Sequence, residues 1–341
     1  MMTEGKGQEG PSPALFFQTV NGHMRTAALK AAIELEVFTA IAEGCRTPQA
    51  MAHRCGAAER GLRMLSDFLT VAGFLTKETD GYRLTRDSGI FLVKSSPAYV
   101  GPALDFMLSS PLVEGFQRLT GAVRTGGTAL DQQGTLAPEH PEWVTFARSM
   151  VPLMKGPAEW MAQWVAREVP ATRQVLDVAA GHGVFGVEIG KALPQAHITA
   201  QDWPNVLTVA RENAQAAGML DRFHELPGSA FDVELSGEYD LVLLTNFLHH
   251  FDEATCVTFL RKVHGALKPG GYVLTLEFLP NEDRISPPPM AEFCLIMLAT
   301  TPAGDAYVFS EYDRMFRTAG FGESTMQDVP ASNERVMITR K

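Results

Sequence analysis

No run in this 341-residue chain reaches the roughly 18 consecutive apolar residues that a membrane span needs. Cysteine is scarce. Cys45, Cys55, Cys256 and Cys294 are the four present, scattered with no CxxC pair and no framework spacing. That argues against a disulfide scaffold or a thiolate metal site, and we read reduced core thiols in a cytoplasmic protein. A basic excess is lacking as well: 29 Lys and Arg face 39 Asp and Glu, a net charge of −10, which disfavours a nucleic-acid binder held by phosphate contacts. No internal repeat is visible, and no low-complexity tract beyond the opening MMTEGKGQEGPSP. That opening lacks the apolar core of a signal peptide, so we expect a polar tail over residues 1–13.

What is present is an ordinary globular composition, 45% apolar and 20% charged, in a chain long enough for two domains. Residues 14–96 are helical and compact. AALKAAIELEVFTAIAEG places apolar residues at helical spacing and stops at Gly44. TPQAMAHRCG opens on Thr47 as a cap with Pro48 at the first helical position and closes at Gly56. A third helix, AAERGLRMLSDFLTVAGF, precedes LTKETDGYRLT, a hairpin turning at Asp80-Gly81. Three helices and a hairpin make a winged-helix plan, suited either to dimerisation or to reading DNA. Ten Lys and Arg against eight Asp and Glu over 14–94 is too even for a strong phosphate footprint, which favours the scaffold.

Residues 97–169 read as a mostly helical linker rich in bulky apolar side chains. Phe146, Met150 and Met154 recur four apart and are expected on one helix face. From residue 170 to 341 short β-rich runs alternate with helical stretches: QVLDVAA, HITAQDW, RFHELPGSA, YDLVLLTNFL, GGYVLTLEFL and VMITR. That alternation predicts an α/β, Rossmann-like doubly wound sheet, mostly parallel, with helices on both faces.

VLDVAAGHGVFG carries Gly181, Gly183 and Gly186 in GxGxxG spacing after the first strand. With Asp202 at the end of the second strand, this turn suits either a dinucleotide or S-adenosylmethionine, and neither feature separates the two. Four others do. Asp177 lies on the first strand, where a carboxylate would repel a pyrophosphate but suit an ammonium. LKPGG turns into a strand, LVLLTNFLHHFDE ends one with His249 and His250, and the glycine turn follows a helical domain instead of opening the chain. His249, His250, Asp252 and Glu253 could be taken for a metal cluster, but no HExxH or cysteine set accompanies them, and we expect no metal.

From about Leu15 to Lys341 the chain resembles the class I S-adenosylmethionine-dependent methyltransferases of the acetylserotonin and plant phenolic O-methyltransferase type, with bacterial natural-product relatives. LDVAAGHG, QDWP, LHHFDEATC, LKPGG, LEFLP and SEYDRMFRTAGF carry the likeness. It implies a winged-helix-like amino-terminal domain that forms a homodimer, S-adenosyl-L-methionine as cofactor, and a small-molecule methyl acceptor. It places Gly181 and Gly183 against the methionine part, Asp202 on the ribose hydroxyls and Trp203 on the adenine. Ser229 stands where relatives carry an Asp that meets the adenine amino group, and Phe231 packs on the ring. Asn246 and Met150 face the cofactor.

The resemblance also makes His249 the general base and Glu277 the acid that orients its other ring nitrogen. Such a base suits a phenol, of which about one part in a thousand is ionised at neutral pH. His250 takes a position often held by Asp. Phe146, Trp143, Met154, Met290, Phe293, Met297 and Tyr307 are pocket candidates, with Phe278 beside them, and they suit a flat, apolar acceptor. The third acid of the plant enzymes falls on Ala306, flanked by Asp305. An S- or C-methyltransferase, needing no oxygen deprotonation, would tolerate that change. A winged-helix regulator and a nicotinamide-dependent dehydrogenase are the readings from other classes.

Overall fold

The computed structural model describes residues 11–131, 134, 139–235 and 238–341. Residues 1–10 of the expected tail therefore lie outside the described residues. Two compact units divide the chain, the first ending at Gly101 and the second running Pro102–Lys341.

The first unit contains α1 (Ala14–Val20), α2 (Gly22–Glu34), α3 (Val37–Ala42), α4 (Pro48–Cys55), α5 (Glu59–Val71), a hairpin of β1 (Leu75–Glu78) and β2 (Gly81–Leu84), and α6 (Arg86–Phe91). Local chemistry accounts for the boundaries. Thr47 Oγ1 accepts the Ala50 N–H at 3.2 Å to open α4, and Gly56 closes it with φ 62°. The run expected as one helix to Gly44 breaks at Glu36, which takes φ 55°, so that Val37 and Phe38 turn into the core. Arg54 and Lys94 hold the Glu36 carboxylate at 3.0 and 2.8 Å and stabilise that turn. Phe38, Met51, Leu62, Leu69 and Tyr82 form the core, whereas α1 buries none of its residues.

The second unit begins with α7 (Ala103–Met107), α8 (Ser110–Gln117), α9 (Leu119–Thr125), α10 (Glu142–Ser149) and α11 (Val151–Glu168). The sheet region follows as β3 (Gln174–Val178), α12 (Val184–Ala192), β4 (His197–Asp202), α13 (Pro204–Ala216), β5 (Phe223–Pro227), β6 (Tyr239–Thr245), α14 (Glu253–Ala266) and β7 (Leu267–Glu277). It closes with α15 (Pro288–Ala291), α16 (Phe293–Thr300), α17 (Phe309–Thr318), β8 (Ser324–Asp328) and β9 (Arg335–Arg340). Seven strands order as β5-β4-β3-β6-β7-β9-β8, with β9 alone running against the rest. Val175, Leu176, Leu241, Val242, Leu243, Leu244, Val273 and Leu274 are fully buried because helices cover both faces.

Three local expectations change. LKPGG is part of β7 itself, with a register shift opposite Tyr239 and Leu241, so Gly270 at φ 78° makes an irregularity within a strand and not a turn before it. Met150 sits at the joint between α10 and α11, so Phe146, Met150 and Met154 do not lie along one uninterrupted helix. β8, a half-exposed edge strand reading STMQD, was not expected, since its only large apolar residue is Met326.

β3 has β4 on one side and β6 on the other, and the chain order reverses there. In such a sheet the crevice at the carboxyl ends of these strands is where a ligand sits.

Candidate active site

At the carboxyl end of β3 the chain turns through Gly181 (φ 56°) and Gly183 (φ 68°) into α12. A side chain at Gly183 would meet Ala210 of α13 at 2.9 Å, so this glycine answers to helix packing. At Gly181 only the Phe146 ring and the Ala179 carbonyl come within 4 Å of such a side chain, at 3.9 and 3.8 Å, which leaves the backbone open to a ligand beneath α10. Asp202, ending β4, holds the loop: Oδ2 accepts from Gly181 N at 2.8 Å and Oδ1 from Trp203 N at 2.7 Å. Burial raises this carboxyl to about 6 against those two donors. Each oxygen retains a lone pair, the equipment a vicinal diol needs. Gln201, absent from our expectations, spans the crevice floor, accepting from Ala179 N at 3.3 Å and donating to Gly228 O at 2.6 Å.

Asp177 does not present a charge to the crevice, contrary to expectation. It is wholly buried, its Oδ2 accepts the Gly186 N–H at 3.0 Å beneath α12, and burial pushes it up to about 8. Its Oδ1 is buried with no partner among the described residues. Asn246, at the end of β6 with φ 53°, is better placed. Its Oδ1 is buried with no partner among the described residues, and its Nδ2 lies 3.7 Å from Met154 Sδ. An ammonium-bearing ligand would satisfy that oxygen, so the residues present fit the methionine end of S-adenosylmethionine.

Ser229 Oγ accepts from Phe231 N at 3.2 Å and shapes the turn, keeping its hydroxyl proton for a ligand. Phe231 lies 5.0 Å from Phe251 and 5.2 Å from Phe259, centroid to centroid, the front of an aromatic cluster. Trp203 packs with Trp143 against Ala147, Val206 and Val209, tying α10 to α13.

The short 3-10 turn Leu248–His250 follows β6 and delivers two imidazoles. His249 Nδ1 meets Glu277 Oε2 at the end of β7, while Glu277 Oε1 accepts the Phe247 and Leu248 N–H groups at 3.1 and 2.9 Å. Nε2, across the ring, has no hydrogen-bond partner among the described residues. Burial pushes His249 down to about 3 and Glu277 up to about 8, against the pull of those N–H groups. Oε1 is occupied by two donors, so the pair's exchangeable proton lies between Oε2 and Nδ1. When the pair gives up one proton, Glu277 is the carboxylate, Nδ1–H donates to it and Nε2 is the free acceptor.

His250 Nδ1 donates to Phe247 O at 3.2 Å, and burial lowers this ring to about 3 as well. Around the two rings stand Trp143, 5.3 Å from His250, and Phe293, 4.8 Å from His249 and stacked on Phe278 at 4.0 Å. Met290 and Met297 are buried on α15 and α16, the elements that bring Phe293 in. Tyr307 departs from expectation: its hydroxyl donates to Phe251 O at 2.8 Å and its ring packs on Tyr312, so it belongs to the core and not to a pocket wall. Asp305 does not stand in for the missing third acid, because its carboxylate reaches Arg284 at 3.4 Å on the surface. Ala306 is buried. No group of His, Cys, Asp and Glu among the described residues is arranged to hold a metal ion.

A family model described as an O-methyltransferase domain matches residues 161–322, and one described as an O-methyltransferase dimerisation domain matches 17–94. The 3-hydroxy-5-methyl-1-naphthoate 3-O-methyltransferase of Streptomyces sahachiroi is 30% identical over 329 residues, 94% of this chain and 94% of that protein. The acetylserotonin O-methyltransferase of Gallus gallus is 29% identical, covering 91% and 92%. Among solved structures, a Nostoc punctiforme protein assigned as an O-methyltransferase superposes with a TM-score of 0.95 at 51% identity, covering 97% of this chain and 100% of that one. Human N-acetylserotonin methyltransferase in complex with SAM superposes with a TM-score of 0.84 at 25% identity, covering 99% of each.

Proposed function

This chain belongs to the S-adenosylmethionine-dependent O-methyltransferases, and we propose that it methylates a hydroxyl oxygen of a small aromatic acceptor with His249 as general base. One observation carries the reading: the contact between His249 Nδ1 and the buried Glu277 carboxyl, which leaves Nε2 without a protein partner among the described residues. S-adenosylmethionine, when bound, supplies an electrophilic methyl group on a sulfonium. Asp202 would receive the ribose hydroxyls, Ser229, Phe231 and Trp203 the adenine, and the Gly181 backbone, Asn246 and Met150 the methionine part. Asp177 and Gly183 support that site from below, through Gly186 N and Ala210.

His249 Nε2 takes the proton from the acceptor hydroxyl as the oxygen gains its methyl, and the resulting imidazolium is held by the Glu277 carboxylate. General-base help of this kind is worth about 10²- to 10⁴-fold. Positioning the acceptor contributes as much, and Trp143, Phe146, Phe278 and Phe293 offer flat apolar walls for it. An aromatic acceptor agrees with the hydroxynaphthoate and acetylserotonin named for two relatives. Residues 14–96 serve dimerisation in this reading, 97–169 the acceptor pocket and 170–341 the cofactor, and the working unit is a homodimer. The exposed apolar side chains Leu15, Phe16, Phe17 and Val20 on α1 support the last point.

The test is His249→Ala with methyl-labelled cofactor and a panel of phenols and hydroxynaphthoates. Turnover is expected to fall about 10²-fold or more, with S-adenosylhomocysteine affinity within about two-fold of wild type. Undiminished turnover would remove the base and point to methylation of sulfur or carbon.

A further inference from the structure

Beyond Glu277, a second device holds the His249 turn. The segment Thr301–Asp305, which links α16 to α17, lies against it through backbone atoms. Asp305 N–H donates to His249 O at 2.9 Å, so the proposed base is held by its carbonyl as well as by Glu277's contact with the ring. Gly304 packs flat on the same peptide. A Cβ there would fall well inside contact distance of His249 O, 2.6 Å from Thr301 Oγ1 and 3.0 Å from the His250 carbonyl carbon. His249 O is a backbone atom that no side-chain rotation can move, so only glycine allows this approach.

The segment is itself anchored. Thr301 is fully buried, donates through Oγ1 to Met297 O at 2.7 Å and accepts Gly304 N–H at 2.9 Å, while its carbonyl accepts Thr128 N–H at 2.9 Å. At the far end Tyr307 fastens to Phe251 O, just beyond the turn.

We propose that Gly304 is a positioning residue: with Thr301 and the Asp305 N–H it forms a backbone clamp that sets the height of His249 against Glu277, at the place where Ala306 supplies no acid. The inference deepens the reading of His249 as the base and rests on it. Two anchors, one on the imidazole and one on the peptide, fix the ring's position more tightly than either does alone. Preorganisation of this kind matters because small displacements of a reacting group cost large factors in rate.

Gly304→Ala tests it, with Gly265→Ala as control, since a Cβ at Gly265 meets nothing within 4 Å. The readout is the imidazole of His249 by ¹H–¹⁵N NMR, assigned by its disappearance in His249→Ala. In the wild type the Nδ1 proton bonded to Glu277 is expected to be strongly deshielded. In Gly304→Ala it is expected to move upfield or exchange with water, while S-adenosylhomocysteine still binds within about three-fold of wild type by calorimetry. With a phenol that the wild type methylates, turnover is expected to fall about ten-fold or more at unchanged cofactor KM.

An unmoved Nδ1 proton with normal turnover overturns the clamp. Should Gly304→Ala not fold, Thr301→Val, which removes the anchor of Gly304 N–H at nearly constant volume, is expected to shift the same resonance, and an unshifted one has the same meaning. The two failures are separable: an active His249→Ala ends the base reading, whereas an inactive His249→Ala beside an undisturbed Gly304→Ala ends the clamp alone.

Discussion

His249 and Glu277 are buried in contact with each other and share a proton, so they titrate as one unit. Burial raises Glu277 well above the usual carboxylate range, so the pair holds its proton until the pH is alkaline enough to remove it, and Nε2 then becomes a free acceptor. The turnover number is therefore expected to climb as pH rises, and Glu277→Gln to remove that limb along with most of the activity; the pH profile of kcat in both proteins decides it. Asp177 makes a separate prediction, about stability. Its folded value is raised from 3.8 to about 8, so the stabilisation is complete below 3.8 and is lost as pH rises through about 8. Asp177→Asn keeps an acceptor for Gly186 N–H and cannot ionise, so its melting temperature should fall less than the wild type's between pH 6 and 9. A parallel decline in both proteins would assign the loss to other groups.

The turn between β3 and α12 shows the same physics with the opposite sign. His182 is buried, its Nδ1 accepts Val184 N–H at 3.2 Å, and burial lowers it to about 4. A lowered folded value means stability that is full above 6.5 and lost as pH falls through about 4. Thermal denaturation should thus show an acid decline that begins below pH 6.5 and is shallower in His182→Asn, whose side-chain oxygen can replace Nδ1 as acceptor. An identical decline in the variant would exclude His182 as its source.

Elements also set the limit of what could be read beforehand. The turns after β3 and β6 were legible because the first concentrates glycine, acid and histidine, and the second asparagine, histidine and acid, within a few residues. The segment Thr301–Asp305 was not. Its function lies in backbone atoms and in the absence of a side chain at Gly304, and TTPAGDA carries no periodicity that reports a packing partner some fifty residues earlier. Asp177 misled for a related reason, since spacing places it on β3 but cannot say that its carboxyl turns under α12. Tyr307 was misplaced because an aromatic near the site reads alike whether it walls a pocket or, as here, fastens Phe251 O.

For the whole molecule the mostly parallel sheet with helices on both faces followed from alternating β and helical runs, except at its polar edge, β8. The exposed apolar side chains of α1 lead to a test on the intact protein. Sedimentation equilibrium is expected to give twice the mass of one chain, and Leu15, Phe16 and Phe17 changed together to Ser to give a single chain's mass. A wild-type monomer would contradict the homodimer.

The central claim is that a neutral, Glu277-held His249 draws the proton from an oxygen as that oxygen is methylated. Single turnover with ¹³C-methyl-labelled S-adenosylmethionine and a reactive phenol tests it most directly, by locating the label and comparing the rate in wild type and His249→Ala. The label is expected on oxygen, and the rate about 10²-fold or more lower in the variant. Label on carbon or sulfur, or equal rates in the two proteins, would contradict it.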